Sequence, residues 1–181
     1  MVAIRILRLF PVDELAEVLA ELLVPEHAES LQYTASIGLP QLRAQVAERL
    51  TRDGIASAAD DVLIIQGGQQ GLDLAARMMI DPGDVVITEN PTFLGALIAF
   101  NPCEPTYATV RSDDDGMDTD DLERVLAAEP TAKMIYVVPD FANPTGTTLS
   151  LPRRHRLVEL ANEHDVLVVE DTPYRSAALL G

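Results

Sequence analysis

Five short runs rich in β-branched residues recur along this chain, and stretches with helical spacing separate them. The runs are DVLIIQ (61–66), DVVITE (84–89), TYATV (106–110), KMIYVV (133–138) and DVLVVE (165–170). Between them lie QQGLDLAARMMI (69–80), TFLGALIAFN (92–101), DTDDLERVLAAE (118–129) and LPRRHRLVELANEH (151–164). A strand that returns beside the previous one in the same direction needs a crossover of about a dozen residues, which a helix supplies. Alternation on this scale therefore predicts βαβ units and a mainly parallel sheet with helices on both faces, a three-layer αβα architecture. The runs are apolar almost throughout, as expected for strands covered on both sides. IDPGD (80–84) carries the chemistry of a tight turn between helix and strand. Two further helical patterns come first: VDELAEVLAELL (12–23), and LPQLRAQVAERLTRDG (39–54) with Pro40 in its first turn and Gly54 after its end. The expected organisation is an N-terminal helical segment over 1–54 and an α/β domain over 55–181.

Composition narrows the function classes. The chain has 181 residues, 48% of them hydrophobic, enough for one domain with a core or for part of a larger one. No run reaches the roughly 18 apolar residues of a membrane span. The start, MVAIRILRLFPVDELAE, lacks the sustained apolar region and cleavage site of a signal peptide. A cytoplasmic protein is expected. One cysteine, Cys103, excludes an internal disulfide, and His27, His155 and His164 stand at no metal-ligand spacing. The net charge of −16 argues against nucleic acid as a partner, because phosphate binding needs a basic surface. The acidic stretch RSDDDGMDTDD (111–121) is expected to be a solvated loop and helix start. Adaptation to high salt is the alternative for so acidic a chain with a single lysine, Lys133.

In open α/β sheets, ligands bind beyond the carboxyl ends of the strands, so the residues just after each run carry the functional information. After DVLIIQ come Gly67 and Gly68 at a helix start, where close backbone approach and free N–H groups suit a phosphate, with Gln69 and Gln70 as further donors. A plain strand-to-helix turn is the competing reading. After DVVITE, Asn90-Pro91 bends the chain and Phe93 follows, either packed in the core or covering a flat ring. After KMIYVV, the sequence PDFANPTG packs turn residues where a short loop would suffice, and Asn143 before Pro144 is placed to present its amide. Both Asn-Pro bonds are candidates for the cis form. After DVLVVE comes Asp171, a carboxylate expected to be partly buried and so to need an Arg, a metal or a cationic ligand atom beside it, unless it caps a helix beginning at Thr172-Pro173. Tyr174 adds a phenol to the same loop.

Taken together, a phosphate cradle, an aromatic, an Asn-Pro-x-Gly turn and an Asp-x-x-Tyr loop, in this order, with the stretches LQYTASIGLPQLRAQVAERL, PDFANPTG and VVEDTPY, resemble the large domain of the fold-type I pyridoxal phosphate (PLP) aminotransferases of class I/II. The likeness runs from about Leu9 to Tyr174 and is strongest to the branch with 2-aminoadipate, aromatic and valine–pyruvate-type transaminases. The resemblance implies that Gly68 and Gln69 hold the cofactor phosphate and that Phe93 stacks on its ring. It further implies that Asn143 and Tyr174 bond the ring's phenolic oxygen and that Asp171 pairs with the protonated ring nitrogen. Tyr33 would reach across a homodimer interface toward the partner's phosphate. Amino acids and 2-oxo acids would be the substrates.

The same resemblance implies an incomplete domain. The family's Schiff-base lysine falls about thirty residues beyond the Asp-x-x-Tyr loop, and Lys133 is expected at the opposite end of its strand. The small C-terminal domain and a longer N-terminal entry are also missing from the pattern. The chain alone is therefore expected not to transaminate. A non-catalytic aminotransferase-like sensing domain, as in GntR-type regulators, and an inactive gene remnant are the alternatives. A dinucleotide-binding domain is disfavoured by the lack of G-x-G-x-x-G.

Overall fold

The computed structural model describes residues 10–175, with the side chains of 29 and 30 excluded. The chain divides into two compact units, 1–65 and 66–181, where the sequence reading set its boundary at 54/55.

In the first unit, helix α1 spans Val12–Leu22 and α2 spans Pro40–Arg52. Pro40 occupies the first turn of α2, where its missing N–H costs no bond. Gly54, just past the end, takes φ +92°. Buried Arg43 of α2 donates to the carbonyl of Val62 (2.9 Å) and to Asp60 (2.9 Å). That anchors the segment read from sequence as the first strand. Residues 62–65 are not a strand here, because among the described residues no other strand pairs with them. Their backbone instead meets the preceding loop, Ile64 N–H donating to the carbonyl of Ile37 (3.1 Å). Among the described residues, nothing covers the apolar stripe of α1: Val12, Leu15, Val18, Leu19 and Leu22 are all exposed.

The second unit is the α/β body. Its strands are β1 (Val85–Asn90), β2 (Thr106–Asp113), β3 (Gly116–Met117), β4 (Met134–Val137) and β5 (Leu167–Glu170). Its helices are α3 (Gly68–Met79), α4 (Leu94–Phe100), α5 (Thr119–Ala128) and α6 (Leu151–Glu163). The sheet order is β3-β2-β1-β4-β5. All pairings are parallel except the short hairpin of β2 with β3.

Strand periodicity sorts the core into two layers, since alternate side chains face opposite sides. Ile87, Val110, Ile135 and Val137 pack with Leu122, Val125, Leu126, Leu157 and Leu160 of α5 and α6. Val86, Met134 and Tyr136 pack with Leu72, Ala76, Ala96 and Phe100 of α3 and α4. Each large side chain removed completely from water contributes about 1.5–3 kcal/mol. The expected three layers are thus present. Burial on both faces holds for β4 and most of β1, whereas β2 and β5 are only partly covered.

The acidic stretch contains the helix start expected from sequence, but it is less solvated than expected. Asp118 caps α5, accepting from the amides of Asp120 and Asp121. Asp121 is buried and bonded to the Arg111 amide and to Arg124. Asp113 pairs with Arg153 of α6.

Candidate cofactor site

The strand order places a topological switch point between β1 and β4. From β1 the chain goes outward to β2 on one side, whereas β4 and β5 lie on the other. Crossovers leave a crevice at such a point, beyond the carboxyl ends of the strands. Four of the expected site residues converge there. Phe93 follows β1, Asn143 follows β4, and Asp171 and Tyr174 follow β5. Together with Val138 and Pro173 they line one small pocket of about 30 Å³. The Asn90–Pro91 and Asn143–Pro144 bonds are both cis, as the sequence suggested.

Asp171 hangs from the sheet by its backbone, its N–H donating to the carbonyl of Val137 (3.0 Å). Its carboxylate has a partner that the sequence reading missed. The phenol of Tyr136 on β4 donates to Asp171 Oδ2 at 2.8 Å. Tyr136 is fully buried and meets Phe100 edge-on, with ring centroids 5.5 Å apart. Burial, with the nearby carboxylates of Asp171 and Glu89, pushes its phenol far above the usual range, so it remains a donor. Among the described residues, the side chain bonded to the Asp171 carboxylate is thus a neutral donor. Among the described residues, 173–174 form a turn after Thr172 rather than an α-helix. The available signal was a tyrosine inside an otherwise aliphatic buried strand, since a buried phenol requires a bonding partner.

Gly67, before α3, takes φ +101° and ψ 164°, a conformation open to glycine. The first N–H groups of α3, from Gly68 and Gln69, lack carbonyl partners within the helix, as at any helix start. The glutamine side chains are otherwise engaged than expected: Gln69 Nε2 donates to the carbonyl of Gly95 (2.9 Å), and Gln70 Oε1 accepts from the Gln66 amide (2.6 Å). Gly95 is also pressed by the Phe93 ring, which lies 2.5 Å from where a Cβ would stand. Gln69, Gly95 and Phe93 thus form one contiguous wall. Thr92 Oγ1, next to Phe93, is buried with no hydrogen-bond partner among the described residues. Such an orphan is uncommon in a folded chain.

Glu89, at the end of β1, is the other carboxyl missed by sequence. It is buried and accepts from the Val138 amide at 3.3 Å. Burial pushes its carboxyl above the ordinary range, partly offset by that bond. Lys133 is exposed at the amino-terminal start of β4, opposite the loops, as anticipated. Tyr33 belongs to the first unit and is fully exposed. Among the described residues no cluster of His, Cys, Asp or Glu could hold a metal, and no helix is long and apolar enough to cross a membrane.

Residues 7–179 match the family model of class I and II aminotransferases. The chain belongs to this family. It is 40% identical over 170 residues to the aromatic-amino-acid aminotransferase 1 of Thermococcus litoralis, covering 91% of this chain and 41% of that protein. Identity is also 40% to the 2-aminoadipate transaminase of Thermus thermophilus, over 92% of this chain and 41% of that protein. A solved kynurenine aminotransferase of Pyrococcus horikoshii, in complex with PMP, superposes with a TM-score of 0.85 at 40% identity, covering 91% of this chain and 42% of the other. This chain therefore spans about two fifths of the length of the relatives it matches.

The side chains at the switch point fit a phosphorylated pyridine cofactor. A carboxylate fixed by a neutral donor suits a ring N–H⁺, an amide and a phenol suit a ring oxygen, and a glycine-entered helix start suits a phosphate.

Proposed function

We propose that this chain carries the cofactor-binding half of a PLP-dependent aminotransferase that moves an amino group between an amino acid and a 2-oxo acid. The observation that carries this reading is the convergence of Phe93, Asn143, Asp171 and Tyr174 in one pocket at the β1/β4 switch point. When bound, PLP supplies an electron sink for a substrate carbanion.

The chain's own residues would bind and orient it. Asp171 would hold a proton on the ring nitrogen, and the Tyr136 bond keeps its carboxylate oriented toward that task. Asn143 and Tyr174 would donate to the ring oxygen. Gly68 and Gln69 would bind the phosphate through main-chain N–H groups, since the Gln69 side chain is held by Gly95. Phe93 would cover the ring face and exclude water from it. Tyr33 would complete a partner's phosphate site in a homodimer. A cytoplasmic setting is part of this proposal.

Titration of the purified chain with PLP, followed by absorbance, tests the reading. Saturable binding that Asp171→Ala weakens at least about tenfold, the loss of one charge-assisted bond, is expected. Equal affinity in the variant would refute the role of Asp171. Borohydride should fix no cofactor on the Lys133 peptide, because that side chain stands at the opposite end of β4; stoichiometric labelling there would overturn the assignment.

A further inference from the structure

Asp140 follows β4 by three residues, is 9% exposed, and touches none of the pocket-lining side chains among the bonds described. It accepts from two arginines on different elements. Arg154 of α6 donates from Nη2 to Oδ1 at 2.7 Å, and Arg175, after β5, donates from Nε to Oδ2 at 3.0 Å. Burial alone would push the Asp140 carboxyl up, but the bonds and charges of Arg154 and Arg175 outweigh it and hold the group below its ordinary value.

Each arginine also brackets one loop. Arg154 donates to the carbonyls of Pro139 and Leu149 (both 2.8 Å), the two ends of the segment that carries Asn143. Arg175 donates to Glu170 at 3.2 Å, closing the segment that carries Asp171 and Tyr174. Among the described residues, Asp140 is the carboxylate common to both staples. Other bonds hold each loop by itself: in the 139–149 loop, the N–H groups of Ala142, Gly146 and Leu149 donate to the carbonyls of Thr147, Ala142 and Pro139 and that of Phe141 donates to Thr148 Oγ1, while Asp171 is tied to β4 through Val137 and Tyr136.

We propose that Asp140 is a positioning residue that, through Arg154 and Arg175, locks the Asn143 loop to the Asp171–Tyr174 loop and so sets the width of the cofactor pocket. This rests on the reading of that pocket as the PLP site. A bidentate carboxylate shared by two guanidinium groups is directional and resists shear between the segments that carry them. A change of loop spacing would move Asn143 and Tyr174 relative to Asp171, and misplacement on the ångström scale is costly for aligned groups.

Hydrogen exchange read by mass spectrometry on the chain without cofactor tests the lock directly. Asp140→Asn should speed exchange by roughly tenfold in both the 139–149 and the 170–175 peptides, with β1 and β4 unchanged. The half-exposed Arg175→Met, which disturbs the core less, should speed the 170–175 peptide and spread to 139–149 through the released Asp140. Acceleration in one loop only, in neither, or uniformly across the strands would overturn the lock. PLP titration supplies the second arm, in which both variants should bind roughly tenfold more weakly. Faster loops with unchanged PLP affinity would overturn the positioning role. A parent chain that fails to bind PLP at all would refute the proposed function, while the exchange result would still decide whether the lock exists.

Discussion

Replacing Tyr136 by Phe removes one oxygen atom and leaves the ring in place against Phe100, so the substitution isolates the hydrogen bond to Asp171. A bond to a charged acceptor contributes about 1.5–3 kcal/mol net. Asp171 is half-buried rather than buried, so water can partly replace the lost donor and the lower end applies, about 1.5 kcal/mol. That is roughly a tenfold change in the unfolding equilibrium. The assay is urea unfolding followed by circular dichroism for the parent chain, Tyr136→Phe, Asp171→Ala and the double variant, with m-values required to agree. The two single variants should lose stability, and Tyr136→Phe should cost little once Asp171 is gone, giving a coupling of about 1.5 kcal/mol. A coupling below about 0.5 kcal/mol, the scatter of independent sites, would refute the claim that Tyr136 holds the carboxylate.

Two other substitutions probe the walls of the pocket. In Gly95→Ala, the new Cβ would stand 2.5 Å from the Phe93 ring and 3.2 Å from Gln69 Oε1. The ring must swing, with an overpacking cost of about 1–3 kcal/mol; PLP affinity should fall beyond what the drop in melting temperature explains, and unchanged affinity would detach Phe93 from the site. Glu89→Gln should stabilise the chain increasingly as pH rises. The buried carboxyl has its folded value raised, so stability present below the ordinary Glu value near 4.5 is lost as pH climbs toward that raised value. Melting curves for parent and variant that stay parallel from pH 4.5 to 8 would show that Glu89 is not held in a costly environment.

Much of the architecture was legible because it rests on local periodicity. Strand and helix alternate at spacings set by backbone geometry, and every helix of the α/β body forms within a residue or two of its apolar pattern. The loops that carry Phe93, Asn143, Asp171 and Tyr174 were legible for a related reason. Glycine, proline and asparagine mark turns, and turns after parallel strands fall on one rim. The run 61–66 failed as a strand because β structure needs a partner, and periodicity within one segment does not supply one. The partial exposure of β2 and β5 has the same origin: burial on a face depends on which elements cover it.

The sequence by itself determined the family, the parallel sheet, and which loops hold the candidate site, because each follows from spacing and residue type along a short stretch. Tertiary structure alone decided who bonds whom across those stretches. The Tyr136–Asp171 and Asp140–Arg175 bonds each join residues 35 positions apart, and one carboxylate receives a phenol while the other receives two arginines. A side chain's partner depends on sheet order and on the crossing of α6 over the strands. Those are set by packing of the whole α/β body rather than by any segment of it, so the carboxylate that awaited a cation in the sequence proved to be held, within this chain, by a buried tyrosine.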